Sequence, residues 1–129
     1  MLGAENNTLT VTSGCACPGQ NITLKCIVTS TSGGSSTVWR GSFFDCPSEN
    51  NEITFRHSRF VAGAMETCTD GSIVGQSLSS DNGRFTSQLS VRVSPGIVGQ
   101  YLNCEHDDGS AILPVGSVKM SAGIARYTK

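Results

Sequence analysis

Residues 21–28, Asn21-Ile22-Thr23-Leu24-Lys25-Cys26-Ile27-Val28, decide the fold. Ile22, Leu24, Cys26 and Val28 fall on alternate positions, with Asn21, Thr23 and Lys25 between them. That period of two makes a strand with one buried face. Beyond a Ser/Gly-rich turn over 30–36 comes Thr37-Val38-Trp39-Arg40, a second short strand. Far downstream, Tyr101-Leu102-Asn103-Cys104-Glu105 puts Leu102 and Cys104 on one face. Cys26 and Cys104 lie 78 residues apart. A bond between them is worth about 4–5 kcal/mol if it acts by restricting the unfolded chain. The order Cys…Trp…Cys among alternating strands predicts two stacked β-layers, with Trp39 lying on a Cys26–Cys104 bridge between them.

The rest of the chain is read outward from that pin. Residues 4–13 form an edge strand with Leu9 and Val11 inward, and Pro18-Gly19 turns the chain into the strand already quoted. Strands follow at 37–41 and around Ile53-Thr54-Phe55-Arg56-His57. Ile73 to Ser79 and Phe85 to Val93 pair across the hairpin turn Asp81-Asn82-Gly83. In the second of these, Leu89, Val91 and Val93 alternate with Ser90 and Arg92. Pro95-Gly96 turns the chain into a strand at 100–105, Asp107-Asp108-Gly109 makes a hairpin, and 111–121 is the last strand. The expected core is Trp39, Leu24, Leu89, Val91 and Leu102. The domain spans 4–121, residues 1–3 read as a cloning remnant, and 122–129 as a frayed tail or linker stub.

At 129 residues the chain holds one domain, with 15% charged residues and a formal net charge of −1. That balance offers no electrostatic drive toward nucleic acid or an acidic membrane. No apolar run approaches the ~18 residues of a membrane span, so a membrane enters only through an anchor elsewhere in a parent chain. Six cysteines point to the secretory pathway and an extracellular or cell-surface location. The sequons Asn6-Asn7-Thr8 and Asn21-Ile22-Thr23 make Asn6 and Asn21 glycosylation candidates. Met1-Leu2-Gly3-Ala4 leads into polar residues with no apolar signal region, which reads as one module cut from a longer secretory chain.

Cys46 and Cys68 flank a segment poor in apolar anchors, and a bond between them would add about 3 kcal/mol. Cys15 and Cys17 pair with each other only in a tightly turned backbone. A bond from either to the core or to another chain is the alternative, and spacing does not choose among the pairings six cysteines allow. A structural role for Cys15-Ala16-Cys17 is the leading reading and a redox-active pair the rival.

Catalysis finds little support. A copper–zinc site needs several imidazoles, and the chain has only His57 and His106. Glu105, His106, Asp107 and Asp108 lack the spaced carboxylates of a calcium loop and read as a solvated hairpin tip. Gly75-Gln76-Ser77-Leu78-Ser79 lacks the last glycine of a nucleophile elbow, and there is no phosphate loop. The expectation is a non-enzyme with no metal and no cofactor. Arg56, His57 and Arg59 between Phe55 and Phe60 form a small basic group suited to a sulfated glycan, although a solvated strand face accounts for it more simply.

The bridge, the Trp and the spacing predict an all-β, immunoglobulin-like β-sandwich: two antiparallel sheets with Greek-key connections. The long interval between Cys26 and Cys104 leaves room for the added strands of the variable-type plan. Two features depart from that pattern. Leu102 stands where the tyrosine corner needs Tyr, and Ser94-Pro95-Gly96 replaces the usual Asp-bearing turn, so the corner must be held some other way. Cys15-Ala16-Cys17-Pro18-Gly19-Gln20, Val38-Trp39-Arg40-Gly41-Ser42-Phe43-Phe44-Asp45-Cys46, Glu52-Ile53, Gly71-Ser72-Ile73-Val74-Gly75-Gln76-Ser77-Leu78 and Thr86-Ser87-Gln88-Leu89 resemble immunoglobulin-like ectodomains of surface proteins of marine sponges and other early-branching animals. The likeness covers roughly residues 11–110. It implies a recognition or adhesion module of a cell-surface receptor whose partner is another extracellular protein or a second copy. The alternatives are a soluble secreted disulfide-rich effector and the ligand-binding ectodomain of a receptor tyrosine kinase, whose kinase would lie in the parent chain.

Alternation also nominates a partner face. With Trp39, Leu102 and Cys104 inward, Val38, Arg40, Tyr101, Asn103 and Glu105 point outward on one sheet. Tyr and Arg are residue types that dominate interface energetics. The loop at 30–36 and the tip at 106–110 form the rival site.

Overall fold

The computed structural model describes residues 7–15, 17–29, 35–41, 52–58, 61–66, 73–81, 83–108, 111–120 and 125–128. Among them are ten strands and no helix. In chain order these are β1 (Thr8–Gly14), β2 (Asn21–Thr29), β3 (Ser35–Gly41), β4 (Glu52–Ser58), β5 (Val61–Glu66), β6 (Ile73–Asp81), β7 (Arg84–Arg92), β8 (Tyr101–Asp107), β9 (Ile112–Met120) and β10 (Ala125–Thr128). They form two sheets, one ordered β1-β2-β7-β6 and the other β10-β9-β8-β3-β4-β5. Every pairing is antiparallel.

The pattern that predicted β2 is the one it adopts. Ile22, Leu24, Cys26 and Val28 are fully buried, and the residues between them are half-exposed. Its neighbour β7 buries Phe85, Ser87, Leu89 and Val91 in the same phase. From the other sheet Trp39, Leu102, Cys104, Val118 and Met120 join a single core cluster with these residues. On β1, Leu9 is buried in the cluster and Val11 packs half-buried against it. Cys26 on β2 and Cys104 on β8 are bonded, with Cα atoms 6.5 Å apart, so the bridge ties one sheet to the other through the core.

The turns follow their residues. Gly19 takes a φ of 86°, and the Gln20 N–H donates to the Cys17 carbonyl at 3.0 Å, so Pro18-Gly19 makes the turn into β2. Gly83 (φ 82°) closes the β6–β7 hairpin beside the Asp81↔Arg84 pair. Cys15 and Cys17 are bonded to each other, Cα to Cα 5.3 Å, a distance within the usual disulfide range. Cys46 and Cys68 lie outside the described residues.

Three expectations are revised. The segment expected to fray contributes β10, whose residues 125–128 pair with Met120 to Ser117 of β9; its four residues are too few to carry a readable period. β5 is also a strand that the sequence reading left undefined. His106, read as part of a solvated tip, is only 4% exposed. Strand β8 runs two residues further than expected, to Asp107, so the alternation that buries Leu102 and Cys104 buries His106 as well.

The corner before β8 is held without a tyrosine. Ile97 N–H donates to the Ser94 carbonyl at 3.0 Å and Gln100 N–H to the Ile97 carbonyl at 2.9 Å, giving two successive turns. Ile97 is 4% exposed and belongs to the core cluster. An apolar plug between two turns therefore does the work of the missing phenol. Tyr101, one place away, is 48% exposed.

Candidate functional site

The outward face of β3, β8 and β9 is built from strand register. Arg40 on β3 is opposite Asn103 on β8, and Val38 is opposite Glu105. Across the other edge of β8, Tyr101 is opposite Lys119, Asn103 opposite Ser117 and Glu105 opposite Pro114. Direct cross-strand partners lie within side-chain reach, so each row interacts laterally.

Arg40 Nε donates to Glu105 Oε1 at 3.3 Å. The two side chains are 39% and 23% exposed, so the pair is screened by solvent and worth about 0.2–1 kcal/mol. The link is diagonal, because Glu105 is the direct partner of Val38 rather than of Arg40. Val38, the residue opposite Glu105, is only 6% exposed. Val38 was grouped with the partner face; its side chain has the outward phase but presents little surface. One row along, Ser117 Oγ donates to Asn103 Oδ1, which ties the Asn103 amide to β9. At the far row the Lys119 ammonium sits 5.9 Å from the centre of the Tyr101 ring, within reach of a cation–π attraction. The face thus presents an exposed phenol with a cation beside it, then a fixed amide, then an ion pair.

A cavity of about 180 Å³ opens between β8 and β9, bordered by Asn103, Glu105, Pro114, Val115 and Ser117. It coincides with a bulge: Cys104 pairs with Gly116 and Glu105 with Pro114, which leaves Val115 as the extra residue. Small-molecule sites run to roughly 300–1,000 Å³, so this hollow fits a side chain of a partner better than a whole ligand.

At the end of the sandwich, burial pushes the His106 pKa below its ordinary 6.5, opposed by the nearby charges of Asp108 and then Asp107. It faces the buried Thr37, as a core residue rather than part of the solvated tip. Among the described residues no three His, Cys, Asp or Glu side chains come together to hold a metal.

The other nominated residues fall apart spatially. Asn21 is exposed at the first position of β2, whereas Asn6 lies outside the described residues. Asn7, the middle residue of that sequon, accepts a bond from the Thr29 N–H at 2.9 Å. Phe55, Arg56 and His57 lie on β4 in register with Thr37, Ser36 and Ser35; Arg59 and Phe60 are outside the described residues. Most of the 30–36 loop is outside them too. At the 106–110 tip, Asp108 closes a turn, its Oδ1 accepting from the Ala111 N–H at 2.9 Å.

Three residues escaped sequence reasoning. Ser87 is fully buried and accepts the Trp39 indole N–H on its Oγ at 3.0 Å; a lone polar residue in the inward phase of an apolar strand was the available signal. Lys119 and Ser117 complete the outer face, but their register with Tyr101 and Asn103 depends on the bulge at Val115, and counting from the hairpin misplaces them by one.

The two disulfides among the described residues indicate an oxidising, extracellular-type environment. Among the described residues no helix is long and apolar enough to cross a membrane. Comparison with protein-family models, curated proteins and solved structures returns no match to this chain.

Proposed function

We propose that the chain is an immunoglobulin-like domain of variable type that serves as an extracellular recognition module, and that its protein partner, a second copy in the simplest case, docks on the outer face of β3, β8 and β9. The sheet orders support the fold assignment: β1-β2-β7-β6, and β9-β8-β3-β4-β5 once the added edge strand β10 is set aside, have the order of the four-strand and the extended five-strand sheets of variable domains. A sulfur bridge between β2 and β8 with a buried Trp on β3 agrees with it.

The observation that carries the functional reading is Tyr101, 48% exposed and flanked by Lys119, on the same face as the half-exposed Arg40. Tyr and Arg are enriched at the centres of interfaces, and flanking charges such as Lys119 and Glu105 suit the polar rim around such an anchor. The charges also suit self-recognition, because Arg40 and Glu105 can exchange partners across a two-fold axis. The test is sedimentation of the wild type and a Tyr101→Ala/Arg40→Ala double variant over a range of concentrations. Wild type should associate, and the double variant should do so at least about tenfold more weakly, the loss expected for one hot spot. Equal association of the two proteins removes this face from the interface; a wild type that stays monomeric removes the second copy as partner.

A further inference from the structure

The two disulfides among the described residues differ in ring size and in exposure to outside thiols. Cys26–Cys104 joins residues 78 apart and is fully buried, so an attacking thiolate reaches it only if the sheets part. Cys15–Cys17 spans a sequence separation of 2, and both residues are half-exposed between β1 and β2. A ring that small restricts the unfolded chain little, and so adds little to stability by that route.

The turn is also held without its sulfur bond. Gln20 N–H donates to the Cys17 carbonyl at 3.0 Å. Gly19 N–H reaches the Val93 carbonyl and Val93 N–H the Gln20 carbonyl, each at 2.8 Å, which ties the turn to the chain leaving β7. On the other side Gly14 pairs with Ile22 at the end of the β1–β2 ladder. None of these bonds uses a cysteine side chain.

We propose that Cys15–Cys17 is a thiol–disulfide exchange site, which accepts two electrons from a dithiol-bearing extracellular partner, and is not a staple of the fold. A partner thiolate attacks one of the two sulfurs. The Cys15–Cys17 bond breaks as the mixed disulfide forms, and its electron pair leaves on the other cysteine, which takes a proton from water. The partner's second thiolate then attacks its own sulfur in the mixed disulfide. The partner departs as a disulfide; the cysteine sulfur it releases leaves with the electron pair and takes a second proton from water, so Cys15 and Cys17 remain as thiols. With Cα atoms 5.3 Å apart, the freed cysteine stays beside the mixed disulfide. In the reverse direction it expels the partner and closes the pair again.

Dithiothreitol is the probe. The folded protein is titrated with it at neutral pH, free thiols are trapped with iodoacetamide and mapped by peptide mass spectrometry, and Trp39 emission is followed in parallel. Cys15 and Cys17 should be labelled at concentrations at least about tenfold below those that label Cys26 and Cys104, with Trp39 emission unchanged. A Cys17→Ser variant incubated with oxidised glutathione should gain one glutathione on Cys15. Labelling of Cys15, Cys17, Cys26 and Cys104 together, a shift of Trp39 emission that accompanies labelling of Cys15 and Cys17, absence of the glutathione adduct, or a Cys15→Ser/Cys17→Ser variant that unfolds would each overturn the proposal.

Discussion

Trp39 is the chain's single tryptophan and is secured from both sheets. Its backbone lies opposite Cys104 in one sheet, while its indole N–H crosses the core to Ser87 in the other. Ser87 Oγ in turn donates to the Cys26 carbonyl at 3.4 Å. The serine therefore satisfies a buried donor that no apolar residue can satisfy. Ser87→Ala should cost about 1–3 kcal/mol, the cost of leaving the indole N–H unpaired, read as a lower urea midpoint at unchanged slope with Trp39 emission as probe. His106 gives a pH signature at the same scale. Burial lowers its folded-state pKa below 6.5, so the unfolded chain binds the proton more tightly. Well above that value His106 is neutral in both states and contributes no pH dependence. As pH falls through it, the unfolded state takes up the proton first and stability drops, levelling off below the folded-state pKa. The slope from this residue is at most about 1.4 kcal/mol per pH unit. Comparing thermal midpoints of wild type and His106→Gln from about pH 7.5 to about pH 5 checks it: the variant should lose this part of the slope.

Strand ends and bulges, more than strand interiors, set where side chains meet. Gly14 ends β1 with a φ of 87°, and a Cβ built there would collide with the Asn21 carbonyl oxygen. Side chains are disfavoured at that φ and the clash is with backbone, which cannot swing aside. Gly14→Ala should therefore destabilise by about 1–3 kcal/mol, whereas Gly96→Ala, with open space around it, should be far milder; paired thermal melts distinguish the two. Along β9 the extra residue Val115 shifts the phase of burial, so that Val115 and Gly116 are both buried. Past that shift, Ser117 and Lys119 align with Asn103 and Tyr101. The outer face owes its Lys119–Tyr101 row to a bulge that period-two reading does not see. β10 then pairs along residues 117–120 of β9, where it covers part of an edge that would otherwise stay open to other strands.

For the whole molecule, the Cys26–Cys104 bridge is a long-range crosslink between two sheets that side-chain burial and the Trp39–Ser87 hydrogen bond also hold together. Replacing both Cys26 and Cys104 by Ala should remove about 4–5 kcal/mol, a large part of the roughly 5–15 kcal/mol typical of a domain. The thermal midpoint should fall steeply, and a variant as stable as wild type would mean that packing suffices. Much of this level was legible beforehand. The period in β2 and β7, the turn residues at Pro18-Gly19 and Asp81-Asn82-Gly83, and the Cys…Trp…Cys order announced two antiparallel layers with Trp39 between them. Those signals are local, because alternation, φ preference and covalent reach are properties of a few neighbouring residues. Which side chains share a surface is a matter of register between strands far apart in sequence. Arg40 and Glu105 could be assigned to one face, yet nothing in their spacing told that they would pair diagonally or that Val38 would be buried. Ser87 as the partner of Trp39 and the strand made by residues 125–128 likewise exist only once two sheets are stacked and their edges compete for pairing. The chain's own residues determined the β layers, the turns and the pin; tertiary packing decided the register, the bulge and the edge, because those energies arise between segments that meet only in the folded state.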